Sequence, residues 1–188
     1  FTKLGLSKNV SHKLTGFKHE QDINKLGKIS QVLTKNQKIL VQVVKEPIST
    51  KGPRLSCELS IAGRYLVLVP FSKAVNVSKR ISDSNERKRL SRLISSIKPE
   101  NFGVIIRTVA EGKDVKELDK DLRNLLQIWE DGVKALKSAK PRDKVIGEMN
   151  RANSILRDVL NESFDSIVVD DKALHDEIKQ YIQKIAPD

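Results

Sequence analysis

Two short segments combine residue types that could do chemistry. The first is Ala62-Gly63-Arg64-Tyr65-Leu66-Val67-Leu68-Val69-Pro70. The second is Asn101-Phe102-Gly103-Val104-Ile105-Ile106-Arg107-Thr108-Val109-Ala110-Glu111-Gly112-Lys113. In the second, a β-branched apolar run ends in an arginine and a threonine. A guanidinium offers a planar fork of donors and a threonine hydroxyl adds one more, a pair suited to a phosphate. In the first, Gly63 lets a ligand or another backbone approach closely. A strand-end arginine is also commonly a solvated rim residue, so residue chemistry alone leaves both readings open.

Other candidates are weaker. His12, His19 and His175 are scattered and read as surface residues. Asp170-Asp171 follows an apolar run, as metal-binding carboxylates of nucleases often do. Asp171 equally occupies the position of a helix N-cap, which needs a single short acceptor. Cys57 lies on the apolar side of an alternating segment and reads as a buried thiol. Trp129 belongs to a helical apolar stripe and reads as core. No P-loop, dinucleotide-binding glycine motif or HExxH is present.

These residues must be positioned by a fold that 188 residues can build, as one domain or two small ones. At 38% hydrophobic and 31% charged, the chain can bury a core. One cysteine excludes a disulfide framework and a multi-cysteine zinc site, and fits a reducing compartment. No apolar run approaches the roughly 20 residues of a membrane span, and a cytoplasmic protein without membrane partners is expected. The chain opens at Phe1, so it reads as a piece of a longer protein. Net charge is +11 and uneven: residues 1–54 hold 11 basic and 3 acidic side chains. A basic first third favours a polyanionic partner.

Periodicity predicts a buried strand over Ile39–Val44, a turn through Pro47 and Lys51-Gly52-Pro53, and a half-buried strand from Leu55 to Ile61. An apolar strand is predicted from Tyr65 to Pro70 and another from Phe102 to Arg107. Helices are predicted over 84–97, 114–139, about 148–160 through Met149, and from about Asp171. Asp114 with Glu117 has capping-box spacing. Ile167-Val168-Val169 reads as a short strand. The order implies a β-rich module followed by an α/β module.

Ordered segments resemble the bacterial ribonuclease E/G endoribonucleases. They are Ile39–Lys45 with Glu46-Pro47, Ser49–Leu55, Ile61–Pro70, Val77–Ile81 and Phe102–Lys113, with looser likeness through Leu118–Trp129, Leu156-Arg157-Asp158 and Ile167–Asp170 to the end. The wording is closer to ribonuclease G. The resemblance implies a mixed α+β and α/β fold. Residues 1–61 would be an incomplete S1-like (OB-like β-barrel) RNA-binding region, with Ser11 standing where the family has an aromatic. Residues 62–135 would be a 5′-sensor subdomain, and 136–188 part of an RNase H-like subdomain. It implies 5′-phosphate binding by Arg107 and Thr108, terminal-nucleotide contact at Gly63 and Val67, and RNA contact at Lys51.

The parent would be a hydrolase of RNA processing and decay, a magnesium-dependent endoribonuclease that cuts single-stranded RNA, preferably 5′-monophosphorylated. Its magnesium ligands, two aspartates around an Ile-Asp-x-Asn motif, belong to a later segment, so no catalytic or metal residue is assigned here. This piece would bind without cutting or holding a cofactor, and a homo-oligomeric parent is compatible with it. Two rivals remain: a stand-alone, non-catalytic RNA-binding module, and a metal nuclease using Asp170 and Asp171.

Overall fold

A computed structural model describes residues 26–147, 150–160 and 163–185. His12, His19, Phe1, Ser11 and Met149 lie outside the described residues. The chain divides into two compact units, Phe1–Val145 and Ile146–Asp188.

Among the described residues of the first unit, the first two strands form an antiparallel ribbon, β1 (Gln42–Lys45) and β2 (Arg54–Ser56). The turn at its tip is closed by reciprocal backbone bonds between Ile48 and Lys51. The buried strand expected over Ile39–Val44 is shorter, and exposed. Val43 and Val44 are about half exposed, at 56% and 54%. The apolar run announced a face in need of cover, but among the described residues a ribbon of two strands supplies no second layer. The segment expected as one strand from Leu55 to Ile61 breaks after Ser56. Cys57 is exposed there, which corrects the buried-thiol expectation. Alternation stops deciding facing once the chain bends away from its ladder.

Four further strands form one sheet: β3 (Ile61–Ala62), β4 (Leu66–Pro70), β5 (Val75–Val77) and β6 (Phe102–Ile106), in the order β3-β4-β6-β5. β4 runs antiparallel to β3 and β6, whereas β5 and β6 are parallel. A parallel pair needs a crossover, and α1 (Ser84–Ile97) supplies it. α1 lies against β5 and β6, α2 (Val115–Leu136) lies against β3 and β4, and the two helices touch. The core forms between these two layers. Leu66, Leu68, Phe102, Val104 and Ile106 from the sheet are fully buried, with Leu90 and Ile94 of α1 and Leu118, Leu122 and Leu125 of α2. Trp129 is buried among them, edge-on to Phe71 and Phe102 with centroids 5.8 and 6.1 Å away.

Both helix starts follow from local chemistry. The Asp83 carboxylate accepts from Asn85 N–H at 2.9 Å. At α2 the expected capping box is present. Asp114 accepts from Glu117 N–H at 2.9 Å and Glu117 accepts from Asp114 N–H at 3.4 Å.

The second unit carries α3 (Arg151–Val159) and α4 (Lys172–Ile185), which meet around Leu156 and Ile178. The Asn153 amide donates to Glu177 at 3.0 Å across that pair. Ile167–Val169 is not a strand, and Val168 is 92% exposed. An apolar triplet becomes a strand only where a ladder partner lies beside it. No described helix is long and apolar enough to cross a membrane.

Candidate functional site

The strand ends where its chemistry begins. One rung past Ile106, Arg107 N–H donates to the Tyr65 carbonyl at 2.8 Å. The Arg107 guanidinium then reaches the β3–β4 turn, where Nη1 donates to the Gly63 carbonyl at 2.8 Å and the Arg64 carbonyl at 3.3 Å. Two backbone carbonyls thereby help to orient the guanidinium of a half-buried arginine. Thr108 begins a turn of 3-10 helix, and its Oγ1 shares a hydrogen bond with Ser78 Oγ at 3.0 Å. Ser78 begins the loop after β5, and the carbonyls of Val77 at the strand end and of Ser78 and Ile81 in the loop all accept from the Arg87 guanidinium of α1. Arg107 and Thr108 therefore project from one strand end, each fixed through a different neighbouring loop.

Gly63 and Val67 flank this strand end. Val67 pairs with Ile105 and with Ala62, and it lies half-buried on the sheet face away from the helices. Gly63 is buried, and its N–H closes the turn onto the Leu66 carbonyl at 2.8 Å. Against its α-carbon stands the Asp121 carboxylate of α2, and a Cβ built on residue 63 would lie 2.6 Å from Asp121 Oδ2. Asp121 accepts three backbone bonds from that turn, from Arg64 at 3.2 Å, Tyr65 at 2.9 Å and Leu66 at 3.0 Å. Burial raises its pKa above the usual aspartate value, although the three N–H groups and Arg107 pull the other way. Tyr65 completes the corner. Its hydroxyl donates to Glu117 at 3.1 Å, and Arg64 and Lys113 lie over its ring.

Lys51 is exposed at the tip of the β1–β2 ribbon, which Gln42 ties to Ser60 by two side-chain bonds of 3.1 and 2.8 Å. Among the weaker candidates, His175 is exposed beside Asp176, and Asp171 accepts from Leu174 N–H at 2.7 Å at the start of α4. Among the described residues, no three His, Cys, Asp or Glu side chains are gathered as a metal ion would need. The magnesium expected of a parent enzyme finds no donor set among these described residues.

Sequence reading missed Asp121 and Ser78. Asp121 was legible in principle, because it lies on the stripe of Leu118, Leu122 and Leu125, where a carboxylate needs a reason.

The loop behind the site is clamped to α1. Glu86 accepts from Arg89 at 2.6 and 2.7 Å and from Gly112 N–H at 2.9 Å, and Arg89 also donates to the Lys113 carbonyl at 2.9 Å. Gly112 takes φ +72°, a conformation that suits glycine. The Arg89 bonds first, and then Gly112 N–H, lower the Glu86 pKa from 4.5 to about 2. A depressed carboxylate stabilises the fold above its ordinary pKa and loses that contribution as pH falls toward its native one. The melting temperature of wild type should therefore exceed that of Glu86→Gln by a constant margin above about pH 5. The margin should close between about pH 4.5 and 2. A margin undiminished at pH 2 would contradict the clamp.

The sequence profile of the Ribonuclease E/G family matches residues 60–188. The chain is 38% identical over 178 residues to Ribonuclease E of Nostoc sp., covering 89% of this chain and 25% of that protein. It is 35% identical over 179 residues to Ribonuclease G of Haemophilus influenzae, covering 95% and 36%. It is 34% identical over 160 residues to Ribonuclease G of Escherichia coli, covering 85% and 33%. The chain thus spans about a quarter to a third of the length of these relatives, and relatives of both names match it. The profile runs through the strand end that carries Arg107 and Thr108: this chain belongs to the ribonuclease E/G family.

Proposed function

We propose that the chain is the RNA-docking and 5′-end-sensing part of a ribonuclease E/G-type endoribonuclease. The observation that carries this reading is the Arg107 guanidinium at the end of β6, oriented by two backbone carbonyls and followed at once by the Thr108 hydroxyl. A 5′ monophosphate carries about −1.5 to −2 charges with several acceptor oxygens. Arg107 would take it through its donor fork and Thr108 through its hydroxyl. The terminal nucleotide would lie along Gly63 and Val67. A bulkier triphosphate would be excluded by shape. The domain limits at residues 61 and 135, the S1-like and RNase H-like assignments and the cytoplasmic setting belong to the same proposal, supported by family membership. The parent would hydrolyse single-stranded RNA with magnesium held by residues outside this chain.

Cleavage tests the division of labour. Incubated with magnesium, the 188-residue chain should leave a 5′-monophosphorylated single-stranded RNA intact, because Asp171 is engaged in capping α4. Cutting that disappears in Asp170→Asn would contradict the reading.

Lys51 tests the docking surface. An exposed ribbon-tip lysine beside a phosphate contributes charge without end information. Lys51→Ala should weaken 5′-phosphate and 5′-hydroxyl RNA equally and lower the salt dependence of log K by about 0.7, the increment for one single-strand phosphate contact. Loss confined to the 5′-phosphate RNA would instead place Lys51 in the sensor.

A further inference from the structure

We infer that Asp121 is the positioning residue of the phosphate site, acting on Arg107 through two shared peptide groups; this rests on the reading of Arg107 proposed above. The Gly63 carbonyl and the Arg64 N–H belong to one peptide group. The Arg64 carbonyl and the Tyr65 N–H belong to the next. Arg107 binds both carbonyls, at 2.8 and 3.3 Å. Asp121 binds both N–H groups, at 3.2 and 2.9 Å, and the Leu66 N–H besides, at 3.0 Å. In a trans peptide the C=O and N–H point in opposite directions. No cis peptide interrupts the described residues. Each of the two planes is therefore held between an anion at its N–H end and a cation at its C=O end.

That arrangement does more than tie a turn. Charge-assisted bonds at both ends of a peptide dipole polarise it in the same sense and strengthen one another. The carboxylate thus fixes the direction of the two carbonyls that seat the guanidinium. Helix α2 thus sets where Arg107 points, and Asp121 would act without touching the phosphate. Gly63 is the residue that permits the relay. Any side chain there would place Cβ 2.6 to 2.9 Å from the carboxylate atoms. A carboxylate with three backbone bonds is short and pinned, and it cannot swing aside as a long side chain would.

The test compares affinity of the 188-residue chain for two single-stranded RNAs that differ only in a 5′ monophosphate or 5′ hydroxyl, with thermal melts alongside. Asp121→Asn should reduce the 5′-phosphate preference at least threefold while leaving 5′-hydroxyl affinity unchanged. In an Arg107→Ala background it should change the preference no further, because both substitutions break one relay. Gly63→Ala should lower both the melting temperature and the preference. Asp121→Ser in that background should not bring the preference back, because the Arg64, Tyr65 and Leu66 N–H groups still lack their carboxylate. This pair keeps the inference testable if Asp121→Asn does not melt cooperatively. A preference that depends on Arg107 but survives Asp121→Asn overturns this inference alone. A folded Gly63→Ala chain that keeps the full preference, or an Asp121→Ser chain in that background that regains it, also overturns it. A wild-type chain without any preference overturns the Arg107 reading and this inference together.

Discussion

Arg107→Ala is expected to erase the advantage of a 5′-monophosphorylated RNA over its 5′-hydroxyl counterpart. A charge-assisted guanidinium–phosphate contact contributes about 1.5–3 kcal/mol, equivalent to roughly 10- to 150-fold in affinity. The loss should fall on the phosphorylated RNA alone. Arg107→Lys should recover only part of it, because an ammonium is a point charge without the fork. The lysine would also have to reach the Gly63 and Arg64 carbonyls that orient the guanidinium. Thr108→Val should cost less, about 0.5–1.5 kcal/mol, since a neutral hydroxyl is the weaker donor. It would also leave Ser78 Oγ without its bond to Thr108. Titration of labelled RNA pairs into wild type and the three variants measures all of this. An Arg107→Ala chain that still prefers the monophosphate would place the pocket elsewhere.

Trp129→Ala should produce the largest loss of stability in the chain. The indole is 3% exposed and stands edge-on to Phe71 and Phe102, joining α2 to the end of β4 and the start of β6. Removing a buried tryptophan costs about 3–5 kcal/mol from transfer and cavity terms together. The two lost ring contacts belong to the same effect. A domain holds only about 5–15 kcal/mol in reserve, so much of the first unit's stability would go. Trp129→Phe should retain most of it, because a ring remains between Phe71 and Phe102. Urea unfolding followed by circular dichroism measures both. A loss below about 1 kcal/mol for the alanine variant would mean that the Trp129 cluster does not hold the helix layer to the sheet.

The parts of this fold legible in the sequence are those with many repeats of one period. The stripe from Leu118 through Leu122 and Leu125 to Trp129 gave α2 its length and its buried face, and Asp114 with Glu117 marked its start. Leu90, Ile94 and Ile97 did the same for α1. The apolar runs at β4 and β6 read as strands because their neighbours are breakers. β5 went unread, since Val75–Val77 is too short to show alternation and is a strand only by pairing with β6. The same limit worked in reverse at Ile167–Val169, an apolar triplet without a ladder. Burial at Val43, Val44 and Cys57 was misjudged because alternation reports which side a residue takes, not whether anything covers that side.

The strand-end arginine and threonine of the candidate site stood out from their types. Their settings did not, since Arg107 is held by the Gly63 and Arg64 carbonyls and Thr108 meets Ser78, 30 residues away. Asp121 lies on the stripe of Leu118, Leu122 and Leu125, but the stripe names no partner for it. Only folding shows that it faces the turn between β3 and β4.

Arg107 is proposed to read the 5′ end of an RNA. Equilibrium binding of the wild-type chain to two single-stranded RNAs of identical sequence, one 5′-monophosphorylated and one 5′-hydroxylated, at one fixed salt concentration, tests it most directly. A preference for the monophosphate of roughly 10- to 150-fold is expected. Equal affinities, with both RNAs bound and the protein folded, would contradict it.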